Sequence, residues 1–330
     1  MMNSRSNIKN IGVFTSGGDS PGMNACIRAV VRTANFHGIQ TIGVLRGFEG
    51  MITNSFKDLN IRSVSNIIQR GGTILKSARC KEFHERKHRE IAFKNLEQKG
   101  IDGLIAIGGD GTFTGASIFS DEFGIPVIGI PGTIDNDLFG TDYTIGFDTA
   151  VNTAVEAIDK IRDTAASHDR IFFIEVMGRD AGYIALHAGI AGGSESILLP
   201  ETKTDIDQLV SKLQESGAKG KTSNIIVVAE GDDEGGANEI AEKVRAKCNE
   251  FNTRVTILGH IQRGGSPSAF DRILSTRFGV ASVERLLDGS KSEMVGLKNN
   301  KISFTSLEKA IKYHVSMDKE MIRQNMITSI

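Results

Sequence analysis

Three cysteines in 330 residues are too few and too scattered to build a framework. Cys26, Cys80 and Cys248 lie far apart with no CxxC. Neither a disulfide scaffold nor a structural zinc site fits them, and a reducing cytosol is the expected compartment. No apolar run approaches the ~20 residues of a membrane span. The amino-terminal MMNSRSNIKNIGVF holds only four apolar residues in a row, so a signal peptide is not expected. Charge of one sign is also lacking: Lys plus Arg number 39 against 40 Asp plus Glu, a net charge of −1. That balance argues against a partner held by bulk charge, such as duplex nucleic acid or an anionic membrane. Proline is scarce at 5 residues, no low-complexity linker divides the chain, and no repeat of fixed length suggests a solenoid. With 39% hydrophobic and 24% charged residues, the composition is that of an ordinary soluble globular protein.

What the chain does have is glycine, 37 residues or about 11% against a background near ~7%. The glycines cluster directly after short β-branched runs. Ile11–Thr15 is followed by SGGDSPG, Leu104–Ile107 by GGDGTFTGA, and Val127–Ile130 by PGTIDND. Ile171–Val176 leads into MGRDAG, Asn224–Ala229 into EGDDEGG, and Arg254–Leu258 into GHIQRGGSP. Runs this apolar suit strands buried on both faces, as in parallel sheets with helices on either side. Between them the period is helical. From Ala150 to Asp163, apolar Val151, Ala154, Val155 and Ile158 recur at helical spacing, while Glu156, Asp159, Lys160 and Arg162 occupy other positions. The fold class expected is α/β, with two lobes sharing a cleft, and every glycine cluster lies at a strand's carboxyl end, where such folds bind ligands.

Glycine after a strand lets backbone N–H groups approach a phosphate, although a tight turn needs glycine for its own dihedrals. Thr15–Gly22 and Gly108–Thr112 both fit that role. A carboxylate inside a phosphate loop is repelled unless a cation mediates, so Asp110 suggests Mg²⁺ held with nucleotide phosphates. Two fingerprints fail. Gly220-Lys-Thr222 lacks the first glycine of a P-loop, since position 215 is Glu215, and it precedes a strand. Gly109–Gly115 is one residue too long for a dinucleotide fingerprint, which removes the main support for an NAD-dependent dehydrogenase. In PGTIDND, Thr133, Asp135 and Asp137 are two apart and would share a side if the segment is extended, a plausible place for a metal and a general base; the competing reading is an Asx-type turn. Arg179, Arg263, Arg170 and Arg254 stand beside strand ends or starts, and guanidinium forks match phosphate oxygens. Each alone could be a surface ion pair, and His260 could be an interior histidine; the collection points to a small phosphorylated ligand.

TSGGDSPGMN, GGDGT, PGTIDND, MGRDAG and LGHIQRGGSP, in this order and spacing, resemble the bacterial-type ATP-dependent 6-phosphofructokinases. The likeness runs from about Ile11 to at least Leu297. It implies two Rossmann-like three-layer lobes with mostly parallel sheets: an ATP lobe of residues 1–145 plus 258–308, and a sugar-phosphate lobe of 146–257 plus 309–330. It implies phosphorylation of fructose 6-phosphate at the 1-hydroxyl with MgATP, in a homotetramer whose active sites are shared between subunits. Gly18, Arg79, Cys80, Gly109, Asp110, Gly111 and Thr112 match the ATP site, with Asp110 on the Mg²⁺ side. Asp135 matches the base that takes the 1-hydroxyl proton, Asp137 helps position it or the metal, and Arg79 and Arg179 supply positive charge. Thr133, Ile134, Met177, Gly178, Glu230, His260, Ile261, Gln262 and Arg263 match sugar-phosphate contacts from one subunit, and Arg170 and Arg254 match contacts from its neighbour.

Relatives that use pyrophosphate have aspartate in place of Gly111 and lysine in place of Gly132, so the resemblance points to ATP as donor. A second anion site for an allosteric effector is implied by Arg28, Arg32, Arg62, Arg162, Gly193, Glu195, Lys219 and Lys221. Arg28 and Arg32 are four apart, hence on one helix face, with no acidic residue between Asn24 and Gly38. The pattern is broken by Ile61, where arginine is usual, and by Thr222 and Ser223, which replace a Lys-His pair. That puts activation by ADP in doubt. The run Lys76–Glu90 carries Glu82, Glu85 and Glu90 and one aromatic, Phe83, so it reads as an exposed helix rather than a nucleic-acid patch. Two other functions remain to be weighed: a pyrophosphate-dependent or differently selective sugar-phosphate kinase, and a silent nucleotide-binding paralogue.

Overall fold

Each apolar run that ends in glycines becomes a strand, and the amphipathic stretch after it a helix. A computed structural model describes residues 8–167, 170–221, 223–313 and 315–329; of the sequence features above, residues 1–7 and Thr222 lie outside these. In chain order the elements are β1 (Asn10–Thr15), α1 (Met23–Phe36), β2 (Gln40–Val44), α2 (Phe48–Ile52), β3 (Phe56–Leu59), α3 (Arg86–Gln98), β4 (Gly103–Gly108), α4 (Asp110–Phe123) and β5 (Val127–Pro131). There follow α5 (Phe147–Ala166), β6 (Ile171–Val176), α6 (Tyr183–Ala191), β7 (Ser196–Leu198), α7 (Ile206–Ala218), β8 (Asn224–Ala229), α8 (Ala237–Lys247) and β9 (Thr253–Ile257). The chain ends with α9 (Ala269–Leu287), β10 (Glu293–Lys298), β11 (Lys301–Ser306), α10 (Leu307–Lys312) and α11 (Lys319–Thr328). Two compact units result: Met1–Ile134 with Leu138–Thr149 and Arg263–Val315, and Asp135–Asp137 with Ala150–Gln262 and Ser316–Ile330.

The first unit holds a seven-stranded sheet in the order β11-β10-β5-β4-β1-β2-β3. Its centre is parallel, and only β3 and β11 run antiparallel to their neighbours. Side chains alternate along a strand, so each central strand feeds two cores. Ile105 and Ile107 pack with Met23, Ile27 and Val30 of α1 and Leu274 and Phe278 of α9. Leu104 and Ala106 face Phe113 and Phe119 of α4 and Leu96 of α3. The helix after β1 and the helix after β4 therefore cover opposite faces, which makes the β1–β4 boundary the topological switch point, where α/β sheets open a ligand crevice. The glycine loops after β1 and β4 flank it. α1 and α9 approach closely at Gly279, where a Cβ would meet that of Ala29 at 2.6 Å.

The second unit has a four-stranded parallel sheet in the order β7-β8-β6-β9. Phe173, Ile226 and Val228 pack against Leu209 and Leu213 of α7 and Ile240 and Val244 of α8. The α/β class with mostly parallel sheets is what the sequence implied. β9 departs from it: it is an edge strand, not one buried on both faces, and Ile257 is 51% exposed. Apolar composition shows that a strand suits burial, but not whether a neighbour exists on its far side. The run Lys76–Glu90 also departs, since the helix begins only at Arg86. Arg89 is buried there, bonding Glu122 through two nitrogens at 2.7 Å and donating to the carbonyls of Phe83 and His84.

Asp271, in the first turn of α9, is fully buried. It accepts N–H bonds from Gly146 at 2.8 Å and Thr149 at 2.9 Å, and the Thr149 hydroxyl at 2.5 Å, so it fastens the start of α5. Burial outweighs these bonds and pushes its carboxyl from an ordinary 3.8 up to about 6. Between those values the folded chain holds a proton that the unfolded chain lacks. The group's stabilisation is therefore complete below pH 3.8 and lost as pH rises through about 6. Relative to the non-titrating Asp271→Asn variant, the wild type is expected to gain about 2 kcal/mol between pH 7 and pH 4.5, read from denaturant midpoints. A pH-independent difference would mean that this carboxyl titrates normally.

Candidate active site

In the first unit, the loops after β1 and β4 are locked together by backbone approaches that only glycine permits. Ser16 N–H donates to Ile107 O at 3.1 Å, and a Cβ on Gly108 would meet Ser16 O at 2.7 Å. Gly18 is crossed by the guanidinium of Arg263: a Cβ there would lie 2.5 Å from Nη1, which donates to Asp19 O at 3.3 Å. The loop from residue 70 to 77 is tied down by Asn24, whose amide donates to Arg70 O and Gly71 O while its carbonyl accepts Ile74 N–H at 2.7 Å. Ser77 donates to Gly17 O at 2.6 Å. That loop delivers Arg79, which is exposed, and half-buried Cys80. Asp110 opens α4 with its carboxylate exposed, and Gly111 follows, where a Cβ would meet nothing within 4 Å.

Thr133, at 8% exposure, follows the end of β5, and its carbonyl accepts the Thr144 hydroxyl at 2.6 Å. Gly109 packs on it, since a Cβ there would meet Thr133 Cβ at 3.5 Å. Beyond it the chain bends and Asn136 takes a left-handed φ of 55°, a conformation asparagine tolerates. The segment is therefore not extended, and alternation cannot be used to put Thr133, Asp135 and Asp137 on one side. Ile134 is fully buried, Asp135 is 7% exposed and Asp137 is half-buried.

In the second unit the turn Met177–Gly182 follows the carboxyl end of β6, and Glu230 follows that of β8. Gly178 has φ 146° and Arg179 a left-handed φ of 54°, costly for a residue with a Cβ. Glu230 holds it: one carboxylate oxygen accepts the N–H of Arg179 at 2.7 Å and of Gly178 at 3.3 Å. Gly231 lies against the Arg179 carbonyl, where a Cβ would come to 2.1 Å. Gln262 is fully buried, with its side chain given to Met177 N–H and Gly259 O; it braces two loops. His260 is exposed, which excludes an interior histidine, and Ile261 is 58% exposed. Arg170 and Arg254 stand at the other end of this sheet, Arg170 just before β6 and Arg254 paired with Phe172. At ~3.3 Å per residue, the backbone of Arg170 lies about 20 Å, and that of Arg254, level with Phe172, about 13 Å, from the far end of β6 where the Arg179 turn begins. The structure does not bring them together with Arg179 and Glu230 within the chain.

Of the residues matched to an effector site, the second unit gathers Arg162, which donates to Gly192 O and Gly193 O, and Glu195 with Lys221 at 2.6 Å. In the first unit Arg28 is half-buried on α1 and loses some basicity to burial and to the Arg32 charge. Arg62 is exposed beside the Asn60 turn. Sequence reasoning missed Asn24, Arg89 and Asp271, whose partners are distant in sequence. It also missed Tyr183, pushed up to about 12 by burial and the Glu201 and Asp137 carboxylates. Only Asn24 left a signal, its place inside the TSGGDSPGMN run.

Parallel α/β sheets whose glycine loops gather at strand carboxyl ends define the class, that of α/β proteins with ligand loops beyond the sheet. Within it, the phosphofructokinase family model matches residues 10–286, and the chain belongs to that family. It is 54% identical over 323 residues to ATP-dependent 6-phosphofructokinase 1 of Thermus thermophilus, covering 98% of this chain and all of that one. It is 51% identical over 315 residues to ATP-dependent 6-phosphofructokinase 2 of Bacteroides thetaiotaomicron, covering 96% of this chain and 97% of that one. Among solved structures, phosphofructokinase from Saccharomyces cerevisiae superposes with a TM-score of 0.89 at 37% identity. That match covers 98% of this chain, which spans about half (48%) of the yeast chain. A pyrophosphate-dependent phosphofructokinase from Marinobacter aquaeolei shares the fold at 23% identity, with a TM-score of 0.84 over 98% of this chain and 92% of that one.

Proposed function

We propose that this chain transfers the γ-phosphoryl group of ATP to the 1-hydroxyl of D-fructose 6-phosphate, giving fructose 1,6-bisphosphate and ADP, the committed step of glycolysis. The observation that carries this is identity above 50% over nearly the full length of proteins named ATP-dependent 6-phosphofructokinase. Phosphoryl transfer spreads charge over the equatorial oxygens, so positioning and neutralisation dominate. Asp135 takes the hydroxyl proton late, as the O–P bond forms, because a carboxylate is a weak base. Arg179, set by its Glu230-held turn, and Arg79 face the transferring charge. Thr133, Met177, Gly178, His260 and Arg263 hold the sugar phosphate, with Ile134, Ile261 and Gln262 in the supporting loops; Gly18, Cys80, Gly109 and Thr112 hold ATP.

Mg²⁺ fits the donor set. Asp110 offers one exposed carboxylate beside open space, and Mg²⁺ is commonly held by one or two carboxylates plus nucleotide phosphates and water. Among the described residues no group of three or more His, Cys, Asp or Glu side chains gathers to cage a metal, which suits a cation arriving with its nucleotide. When bound it would neutralise phosphate charge. We place Arg170 and Arg254 in the site of a neighbouring subunit, supported by their separation from Arg179, and with them a homotetramer. Arg28, Arg32, Arg62, Arg162, Gly193, Glu195, Lys219 and Lys221 are assigned to an allosteric anion site. A cytoplasmic location is supported by three free cysteines, and no helix among the described residues is long and apolar enough to cross a membrane.

ATP as donor is supported at both diagnostic glycines. A Cβ on Gly132 would meet Ile107 at 3.0 Å and Met23 at 3.3 Å, leaving no easy room for a lysine stem. The direct test is fructose 6-phosphate phosphorylation assayed with ATP and with pyrophosphate; turnover with ATP alone is expected, and turnover with neither would sink the reading. Gly111→Asp should fold normally, because the new side chain enters open space and acidic residues suit a helix's first turn. Its carboxylate would meet ATP phosphates at close range, so ATP use should be lost. Unchanged KM and kcat for ATP would remove Gly111 from the phosphate site.

A further inference from the structure

A cavity of about 330 Å³ opens in the second unit between α7, the start of β8 and the carboxyl-terminal helix α11. Lys219 and Lys221 line it, as expected of an anion site, but the resemblance counted only these two because Thr222 stands where its pattern continues with lysine. The structure adds a third, Lys212, from two turns earlier in α7. Its Nζ donates to Glu195 O at 2.5 Å and to Ser329 Oγ, just past α11, at 3.1 Å. An ammonium has three N–H donors, so one remains for a ligand. Three lysines, Lys212, Lys219 and Lys221, line the cavity against two carboxylates, Glu215 and the Glu195 that Lys221 meets at 2.6 Å, and the surplus positive charge tips the lining towards an anion. Burial lowers the basicity of Lys212, and a neighbouring anion would oppose that. α11 buries none of its residues, and Met326, which lines the cavity, is 69% exposed. The Lys212–Ser329 bond is thus a main tie between this helix and the pocket.

We propose that Lys212 is the third cation of this pocket, replacing the one lost at Thr222, and that a small phosphorylated anion seated there clamps α11 through Lys212 and Ser329. The proposal rests on the assignment of an effector site to Lys219 and Lys221. The test acetylates the full-length enzyme at increasing inorganic phosphate and reads each lysine by mass spectrometry, with Lys160 as reactivity standard. Lys212, Lys219 and Lys221 should be protected along one curve. Lys212→Met should raise the midpoint at the other two about tenfold, while Lys212→Arg keeps it. Amide exchange in α11 should slow about threefold or more with phosphate, and not in Lys212→Met. Protection of Lys219 and Lys221 without Lys212 would overturn the proposal and leave the effector site standing. Protection of none would remove both. Protection of all three with unchanged exchange in α11 would overturn the clamp.

Discussion

Asp135→Asn should leave fructose 6-phosphate binding largely intact while kcat falls by ~10²–10⁴, the range for loss of a general base. The substitution is nearly isosteric, and the position is 7% exposed in a bend that Asn136 closes with a left-handed backbone. Repacking should therefore be slight. The amide cannot accept a proton from the hydroxyl as the O–P bond forms, so the loss should fall on turnover. Steady-state kinetics beside calorimetric binding of fructose 6-phosphate separates the two. A variant with near-normal turnover would remove Asp135 from the role of base.

A second large effect is a gain of activity on mixing two damaged enzymes. Arg254→Ala alone should raise KM for the sugar phosphate, because a charge-assisted contact worth ~1.5–3 kcal/mol is lost. If Arg254 serves the neighbouring subunit, each site needs Asp135 from one chain and Arg254 from the other. Random subunit exchange between Arg254→Ala and Asp135→Asn then leaves about a quarter of the sites wholly wild type. The mixture should exceed either parent, most clearly at low sugar phosphate. The geometry motivates this: Arg254 pairs with Phe172 at the start of β6, whereas Arg179 follows its far end. If exchange is verified and no activity returns, Arg254 acts within its own chain.

The central strands β1, β4, β5, β6 and β8 were legible because strands buried on both faces are continuously apolar and end in glycine. β2, β3, β7, β10 and β11 were not read, since short or peripheral strands carry polar residues that propensity cannot separate from loops. β9 was legible as a strand and misread in its burial, because lateral neighbours are set by chain order in the sheet. The loop motifs were legible through glycine, whose use is local; Asn24, Arg89 and Asp271 were not, because each acts on backbone or carboxylate groups far along the chain.

From sequence alone came the α/β class, the phosphate-directed loops, and Asp110, Asp135 and Arg179 as residues of interest, since each depends on residue type beside a strand end. Tertiary structure decided the rest. It placed the switch point between β1 and β4 and gave Arg179 a left-handed backbone held by Glu230. It put Arg170 and Arg254 at the opposite sheet end, and brought Lys212 to a pocket from which the linear pattern omitted it. Each of these depends on which segments meet in space, and hydrogen bonds and charges act over a few ångströms between groups that the chain separates by tens of residues.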